Sequence, residues 1–468
     1  MNRLFISAAH KSSGKTTVAV GLCAALRARG EAVQPFKKGP DYIDPLWLGL
    51  AAARPCYNLD PYLSGTQAIR AEFAHRMHGA TLGLVEGNKG LYDGLDLHGS
   101  NSNAALAALI GAPVVLVIDA RGMTRGIAPL ILGYQAFDSN IRIAGVILNQ
   151  LGGSRHEAKL RAVIAHYTGV PVLGAVQHDE RLTIVERHLG LVPSNEAQAA
   201  RTRVDEIATL VAAQVDLERL LAVAREAPPL HGVAVPPSGA LVRPAAPRLR
   251  VGIARDAAFG FYYPGDLEAL RAAGAELIAF DALHDKRLPQ VDALYIGGGF
   301  PETHMDALAA NAGLRAQVRD AIEAGMPTYA ECGGLMYLAR GIEWKGRRAE
   351  MVGVIPADIV MHARPVGRGY VHLRETGRGP WLQGPDALIR AHEFHYSSVE
   401  NLPAGVEFAY AVERGHGIDG RHDGIVYKNL LASYTHLRDV AGNRWARRFV
   451  EFARSCELRH SAVAEASA

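Results

Sequence analysis

Cysteine is scarce in this chain: Cys23, Cys56, Cys332 and Cys456 are the four in 468 residues, far apart and without a C-x-x-C pair. The spacing excludes a disulfide framework and a thiolate zinc site and fits a reducing compartment, so a cytoplasmic location is expected. Long hydrophobic runs are missing too. The apolar residues 4–9 give way to a Lys-rich and Gly-rich turn, and no later run approaches the ~20 apolar residues that cross a bilayer. Neither secretion nor a membrane partner is expected. Nor is one sign of charge in excess, since 50 Lys and Arg against 47 Asp and Glu leave +3. That balance is too even for a protein held to a polyanion by its field, and no nucleic-acid partner is expected. Fixed-period repeats and low-complexity tracts are absent.

What is present is a large apolar fraction, 49% of residues against 21% charged, which excludes disorder as the main state. Short Val, Ile and Leu runs at residues 4–7, 82–85, 113–118, 143–148 and 170–176 alternate with helically spaced stretches such as 17–29 and 104–110. That alternation predicts an α/β protein with a parallel sheet. Pro228, Pro229, Pro236, Pro237, Pro244 and Pro247 then break the pattern, and no helix or central strand survives such a density. The strand pattern restarts at 249–254, 293–296 and 328–330. The expected organisation is therefore a first domain over 1–227, a Pro-rich linker over 228–248, a second α/β domain over 249–455 and a loose tail over 456–468. A last helix over 443–453 carries Trp445, Phe449 and Phe452 on one side, which fits docking on the second domain better than membrane contact.

The first strand leads into Ala9-His10-Lys11-Ser12-Ser13-Gly14-Lys15-Thr16-Thr17, a match to G-x-x-x-x-G-K-[ST] except for Ala9 at the first position. A helix follows at once, which is the context a phosphate loop needs. Backbone N–H groups around Ser13 and Gly14 can wrap phosphates, Lys15 supplies a point charge, and the Thr16 hydroxyl can reach Mg²⁺. The alternative is a basic surface turn. Carboxylates for the metal are available at strand ends: Glu86 follows the run 82–85, and Lys37-Lys38-Gly39-Pro40-Asp41-Tyr42-Ile43-Asp44-Pro45 packs two cations and two acids into one turn. A solvated loop explains that turn equally well. Asp119 is another strand-end acid. Asn149, ending residues 143–148, could bond an adenine edge or simply make a turn.

In the second domain Thr328-Tyr329-Ala330 runs into Glu331-Cys332-Gly333-Gly334 and then a helix, the layout of a nucleophile elbow. The turn throws the thiol into a cleft, and the helix start favours the thiolate. A buried structural cysteine is the alternative. Upstream, Gly297-Gly298-Gly299 can bring peptide N–H groups to an oxyanion. Downstream, Ser433-Tyr434-Thr435-His436 supplies an imidazole that only the fold can bring to the sulfur. His392 and His395 with Glu393 compete as a base or metal site, but a third ligand at suitable spacing is missing.

These stretches, with Asn58-Leu59-Asp60, Val85-Glu86-Gly87, Phe261-Tyr262-Tyr263 and His392-Glu393-Phe394-His395-Tyr396-Ser397, resemble the cobyrinic (or hydrogenobyrinic) acid a,c-diamide synthase family over nearly the whole chain. The resemblance implies an N-terminal ATP-binding domain similar to dethiobiotin synthetase and a C-terminal, flavodoxin-like class I glutamine amidotransferase domain. It implies Cys332 as the glutaminase nucleophile and His436 as its activator, with Gly298 and Gly333 at the oxyanion. It also sets Asp41, Asp44 and Glu86 in the synthetase site; together with the phosphate-loop pattern this makes Thr16, Asp44 and Glu86 the expected metal ligands and Ser13, Gly14, Lys15, Thr16, Thr17 and Asn149 the expected nucleotide contacts. Many class I amidotransferases carry a Glu two residues after this histidine; here Arg438 stands there, so what orients His436 is open.

The activity so implied is ATP- and glutamine-dependent amidation through an acyl phosphate, with ATP and Mg²⁺ as cofactors and L-glutamine and a tetrapyrrole polycarboxylate as substrates. Lys37, Lys38, Arg121 and Arg125 are candidate cations for the substrate carboxylates. Other tetrapyrroles such as nickel sirohydrochlorin, or a non-enzymatic P-loop ATPase switch with an inactive thiol domain, stay open as alternatives, as does a homodimer.

Overall fold

Uninterrupted Val, Ile and Leu runs have no polar face to turn to water, so they settle as strands covered on both sides, the setting of a parallel sheet. The computed structural model describes residues 1–184, 186–187, 190–196, 199–233, 249–384 and 387–466. The chain divides into two units, Met1–Ser238 and Gly239–Ala468.

The first unit is built on strands β1 (Asn2–Ala8), β2 (Val33–Lys38), β3 (Tyr57–Leu59), β4 (Leu82–Glu86), β5 (Val114–Asp119), β6 (Ile143–Leu151) and β7 (Val172–Gln177). They form a seven-stranded sheet in the order β3-β2-β4-β1-β5-β6-β7, and all their pairings are parallel. One face packs Leu4 and Ile6 with Val18, Leu22, Ile207 and Val211; the other packs Phe5 and Leu116 with Phe73, Leu106 and Ile131. Because the strands are parallel, their carboxyl ends share one edge, and whatever follows β1, β2, β4, β5 and β6 gathers there.

In the second unit the parallel strands are Ala275–Phe280, Leu249–Ala254, Ala293–Ile296, Thr328–Glu331 and Leu430–Ser433, in that spatial order. The same sheet then continues through four antiparallel strands, His422–Tyr427, Glu407–Arg414, Gly367–Glu375 and Leu388–His395. The parallel part follows from the sequence. The antiparallel extension does not, because strands such as Glu407–Arg414 mix exposed, half-buried and buried residues and lack a pure apolar run.

Two boundaries differ from expectation. The Arg3 guanidinium donates to the Pro228 carbonyl and Arg70 to that of His231, so the start of the Pro-rich stretch is bound to the first unit; residues 234–248 lie outside the described residues. The last helix runs Trp445–Ala466, beyond the expected loose tail. Residues 456–466 contain no Gly or Pro, and three Ala and two Glu favour the helix, so nothing stops it. Trp445 and Phe449 are fully buried and pack within their own unit, Trp445 4.9 Å from Tyr329 and Phe449 5.0 Å from Trp381 between ring centroids. Among the described residues no helix is long and apolar enough to cross a membrane.

Candidate active sites

The turn after β1 carries two left-handed residues, Ser12 at φ 66° and Gly14 at φ 81°, and hands over to helix Lys15–Ala28 with Gly14 at its N-cap. Left-handed residues ahead of a helix start are how a backbone presents N–H groups to an anion. One buried and one half-buried contact hold the loop. Asn149 Nδ2 donates to the Ser13 carbonyl at 2.9 Å, and the Tyr134 hydroxyl donates to that of Ala9. A Cβ on Gly14 would lie 2.1 Å from Asn149 Nδ2, so glycine is required for space as well as for φ. Ala9 has no positive φ, which is why the departure from glycine at the first position brings no backbone strain. Ser13 Oγ donates back to His10 O at 2.8 Å, and Thr17 lies in the first helical turn.

Register builds the charged half of this site. Glu86 pairs across the sheet with Ile6 on one side and Lys37 on the other. Lys37 Nζ lies 3.1 Å from Glu86 Oε2, 2.5 Å from Asp44 Oδ2 and 4.0 Å from Asp41 Oδ2. Thr16 Oγ1 is 2.7 Å from Glu86 Oε1 and 3.2 Å from Asp44 Oδ2. Glu86 and Lys37 are buried, and burying an ion costs several kcal/mol unless it is paired. Burial opposes the Lys37 charge, but Asp44 and Glu86 outweigh it and raise its pKa. Burial, with Asp44 beside it, pushes Asp41 up to about 7, and burial also raises Glu86 against the pull of Lys37. Burial lowers the Lys15 ammonium, with Glu86 opposing. Three carboxylates thus converge on the Lys37 ammonium, and two of them, Asp44 and Glu86, also reach the Thr16 hydroxyl; among the described residues no group of three acids, histidines or cysteines is spaced to hold a metal ion. Hard oxygen donors of this kind suit Mg²⁺.

Other sequence candidates land elsewhere. Lys37 is enclosed by acids and cannot serve as a cation for substrate carboxylates, contrary to expectation. Arg121 pairs with Asp119 at 2.6 Å, which takes that acid out of the metal cluster. The Arg125 guanidinium sits 5.1 Å over the Tyr167 ring. Lys38, lowered to about 8 by burial, is 3.4 Å from Asn88 Oδ1. Sequence reasoning missed Asn103, a fully buried amide at the start of an otherwise apolar helix. Its Nδ2 donates to Asn88 O at 2.9 Å and Gly90 O at 3.0 Å, fastening the loop after Glu86.

The second site is assembled from three neighbouring parallel strands. Ile296 is opposite Ala330, and Glu331 opposite Ser433, so residues 297–299, Cys332 and His436 all follow ends on one sheet edge. Cys332 stands at φ 49°, ψ −100°, a strained conformation for a residue with a side chain, worth about 1–3 kcal/mol. Its N–H donates to Ser433 O at 2.7 Å, which fixes the elbow. A Cβ on Gly334 would lie 2.1 Å from Ile296 O, so the elbow can rest on the adjacent strand only as glycine. Gly298 abuts His436, and Gly333 abuts the Gly299 amide: a Cβ on them would lie 2.7 Å from His436 Cε1 and 2.9 Å from Gly299 N.

His436 is buried, stacks on His392 with ring centroids 5.0 Å apart, and hydrogen-bonds the Cys332 side chain. Its Nδ1 is 3.6 Å from Glu331 Oε2. Burial disfavours the imidazolium, but the Cys332 and Glu331 contacts overcome that and hold His436 up to about 10. An imidazolium beside sulfur is the arrangement that sustains a thiolate nucleophile. Arg438, two residues on, lies 3.9 Å over the Tyr263 ring and 3.6 Å from Asp266. His392 and His395 belong to one strand, where positions three apart face opposite sides. His395 stacks on Tyr434 at 3.8 Å while His392 faces His436, so the two do not converge on one metal.

Two family models match. Residues 5–192 match a CobQ/CobB/MinD/ParA nucleotide binding domain, and residues 250–442 match a CobB/CobQ-like glutamine amidotransferase domain. Among curated proteins, the cobyrinate a,c-diamide synthase of Magnetococcus marinus is 49% identical, covering 95% of each chain. Proteins of the same name from Methanosarcina acetivorans, 41% identical over 96% of this chain and 95% of its own, and from Archaeoglobus fulgidus, 40% over 96% and 97%, are similar from end to end.

Proposed function

The chain belongs to the cobyrinate a,c-diamide synthase family, and from that premise we propose that it amidates the a and c carboxylates of cobyrinic or hydrogenobyrinic acid, using ATP to activate each carboxylate and glutamine as nitrogen donor. A carboxylate is a poor electrophile, so it must first take the γ-phosphoryl group. The loop around Ser13 and Gly14, with Lys15, holds the phosphates in line for attack by the substrate oxygen; ADP leaves and an acyl phosphate forms. Ammonia then adds to the acyl carbon, phosphate departs, and an amide remains. Thr16, Asp44 and Glu86 would be the oxygen donors for Mg²⁺, which when bound would neutralise charge on the transferred group. Asp41 and Asp44 guide substrate and amine. Asn149 fixes the loop through Ser13, and its remaining amide oxygen is available to the adenine edge.

At the thiol site the Cys332 sulfur attacks the side-chain carbonyl carbon of glutamine, the oxyanion facing the amides near Gly298 and Gly333. His436 delivers a proton to the departing nitrogen, ammonia is released, and water hydrolyses the thioester to glutamate. The four cysteines, all buried and unbridged, support a cytoplasmic setting. The observation that carries the whole reading is that one chain, matched end to end by relatives of one name, holds both a phosphate loop with converging acids and an elbow cysteine against a histidine. Incubating the protein with ATP, Mg²⁺, glutamine and cobyrinic acid should yield the a,c-diamide by mass spectrometry, with nickel sirohydrochlorin as competitor. Amidation of the competitor alone would reject the substrate assignment.

A further inference from the structure

A histidine that moves protons needs a partner to fix its ring and tautomer, and Arg438 cannot be that partner, since it carries a cation and lies over Tyr263. The carboxylate comes instead from the residue just before the nucleophile. Glu331 ends the strand Thr328–Glu331 and is 1% exposed. Three donors fix it: the Tyr329 hydroxyl to Oε1 at 2.6 Å, the Leu437 N–H to Oε1 at 2.9 Å, and the Tyr295 hydroxyl to Oε2 at 2.9 Å. The Leu437 bond ties the carboxylate to the backbone immediately after His436. Oε2 then faces His436 Nδ1 at 3.6 Å, beyond hydrogen-bond length but within reach of an ion pair, a separation that commonly tightens when substrate binds.

We propose that Glu331 is the positioning residue of the thiol site, its carboxylate orienting His436 through Nδ1 so that Nε2 serves the Cys332 sulfur. The inference rests on the glutaminase role given above to Cys332 and His436. The geometry explains an odd feature of the elbow. Alternation along a strand would send residue 331 away from the thiol, yet the strained backbone at Cys332 lets consecutive residues address one imidazole from two sides. The other groups around that imidazole are His392, stacked on it, Arg438, and Asp266 beyond the guanidinium. Glu331 brings a carboxylate oxygen to Nδ1 itself, within ion-pair reach.

Glu331→Gln keeps the shape and removes the charge; Glu331→Asp keeps the charge and withdraws it. Both are to be compared with the full-length wild type and with Cys332→Ser, using glutamine and ammonium chloride as nitrogen donors. Alkylation of the thiol by iodoacetamide is followed against pH, with Cys332→Ser as the blank. In Glu331→Gln we expect glutamine-dependent kcat to fall about 100-fold with KM for glutamine nearly unchanged. The ammonium-dependent rate should hold, and the alkylation midpoint should rise by about one pH unit. Glu331→Asp should recover part of the loss. A glutamine-dependent rate within about threefold of wild type, or an unmoved midpoint, overturns the inference. If Glu331→Gln fails to give a cooperative thermal melt, Tyr295→Phe, which removes one donor to Oε2, takes its place. With that donor gone, Oε2 turns more negative charge toward Nδ1, so a downward shift of the midpoint is then expected, and an unchanged midpoint counts against the proposal. Full glutamine-dependent turnover in Cys332→Ser would bring down the reading of the thiol site itself, an outcome distinct from failure of the Glu331 variants alone.

Discussion

The phosphate-loop unit and the thiol unit both gather their chemistry where parallel strands end, yet they handle charge in opposite ways. Around Thr16 the first crowds the buried Lys15, Lys37 and Glu86 against the half-buried Asp41 and Asp44, and Lys37 alone faces three carboxylates. The second sets one sulfur, a stacked pair of imidazoles and the Glu331 carboxylate among Tyr263, Tyr295, Tyr329 and Tyr434, and concentrates its strain in the backbone of Cys332. The difference follows from the two reactions. Phosphoryl transfer asks a protein chiefly to place and balance charge, whereas amide cleavage asks for a single activated nucleophile with a well-aimed proton carrier. Charge removal should therefore cripple the first site, and misorientation the second.

The largest effect that sharpens this contrast is Lys15→Ala. It should lower ATP-dependent amide formation about 1,000-fold with glutamine and with ammonium alike, while glutamine hydrolysis assayed as glutamate release survives. Loss of one donor's activity alone would break the division between the sites. A smaller effect concerns stability. His436 is held up to about 10 with burial opposing and Cys332 and Glu331 prevailing, so its charged form stabilises the fold fully below the ordinary histidine value of about 6.5. That contribution is lost as pH climbs from about 6.5 through about 10. Over this window the melting temperature of the wild type should fall by about 2–4 °C more than that of Cys332→Ala, in which one of the two favourable contacts is gone. Parallel curves would show that the thiol does not hold the imidazolium.

How much of this was legible in the sequence differs between the sites for a physical reason. Lys15, Thr16 and the loop before them are contiguous, so local backbone rules alone specify their arrangement. Glu86 could be read as an acid at a strand end. Lys37 could not be read correctly, because its engagement with Glu86 depends on the register of β2 against β4, which no local pattern encodes. The elbow at Cys332 was visible through its glycines, and His436 through its place after an apolar run. Glu331 was hidden in plain view, since strand periodicity assigns it to the face opposite the thiol, and only the φ of Cys332 reverses that. The four antiparallel strands beyond Leu430–Ser433 escaped because half-exposed strands carry mixed residues, and the extent of helix Trp445–Ala466 because nothing marks its end before residue 466.

Cys332→Ser assayed side by side with glutamine and with ammonium chloride as nitrogen source tests the division of labour most directly. With glutamine, diamide formation should fall to background; with ammonium at a pH near 8.5, where about a tenth of it is free ammonia by general acid–base equilibrium, it should match the wild type. Equal loss with both donors, or undiminished turnover with glutamine, would contradict a thiol that liberates nitrogen for a separate ATP-driven site.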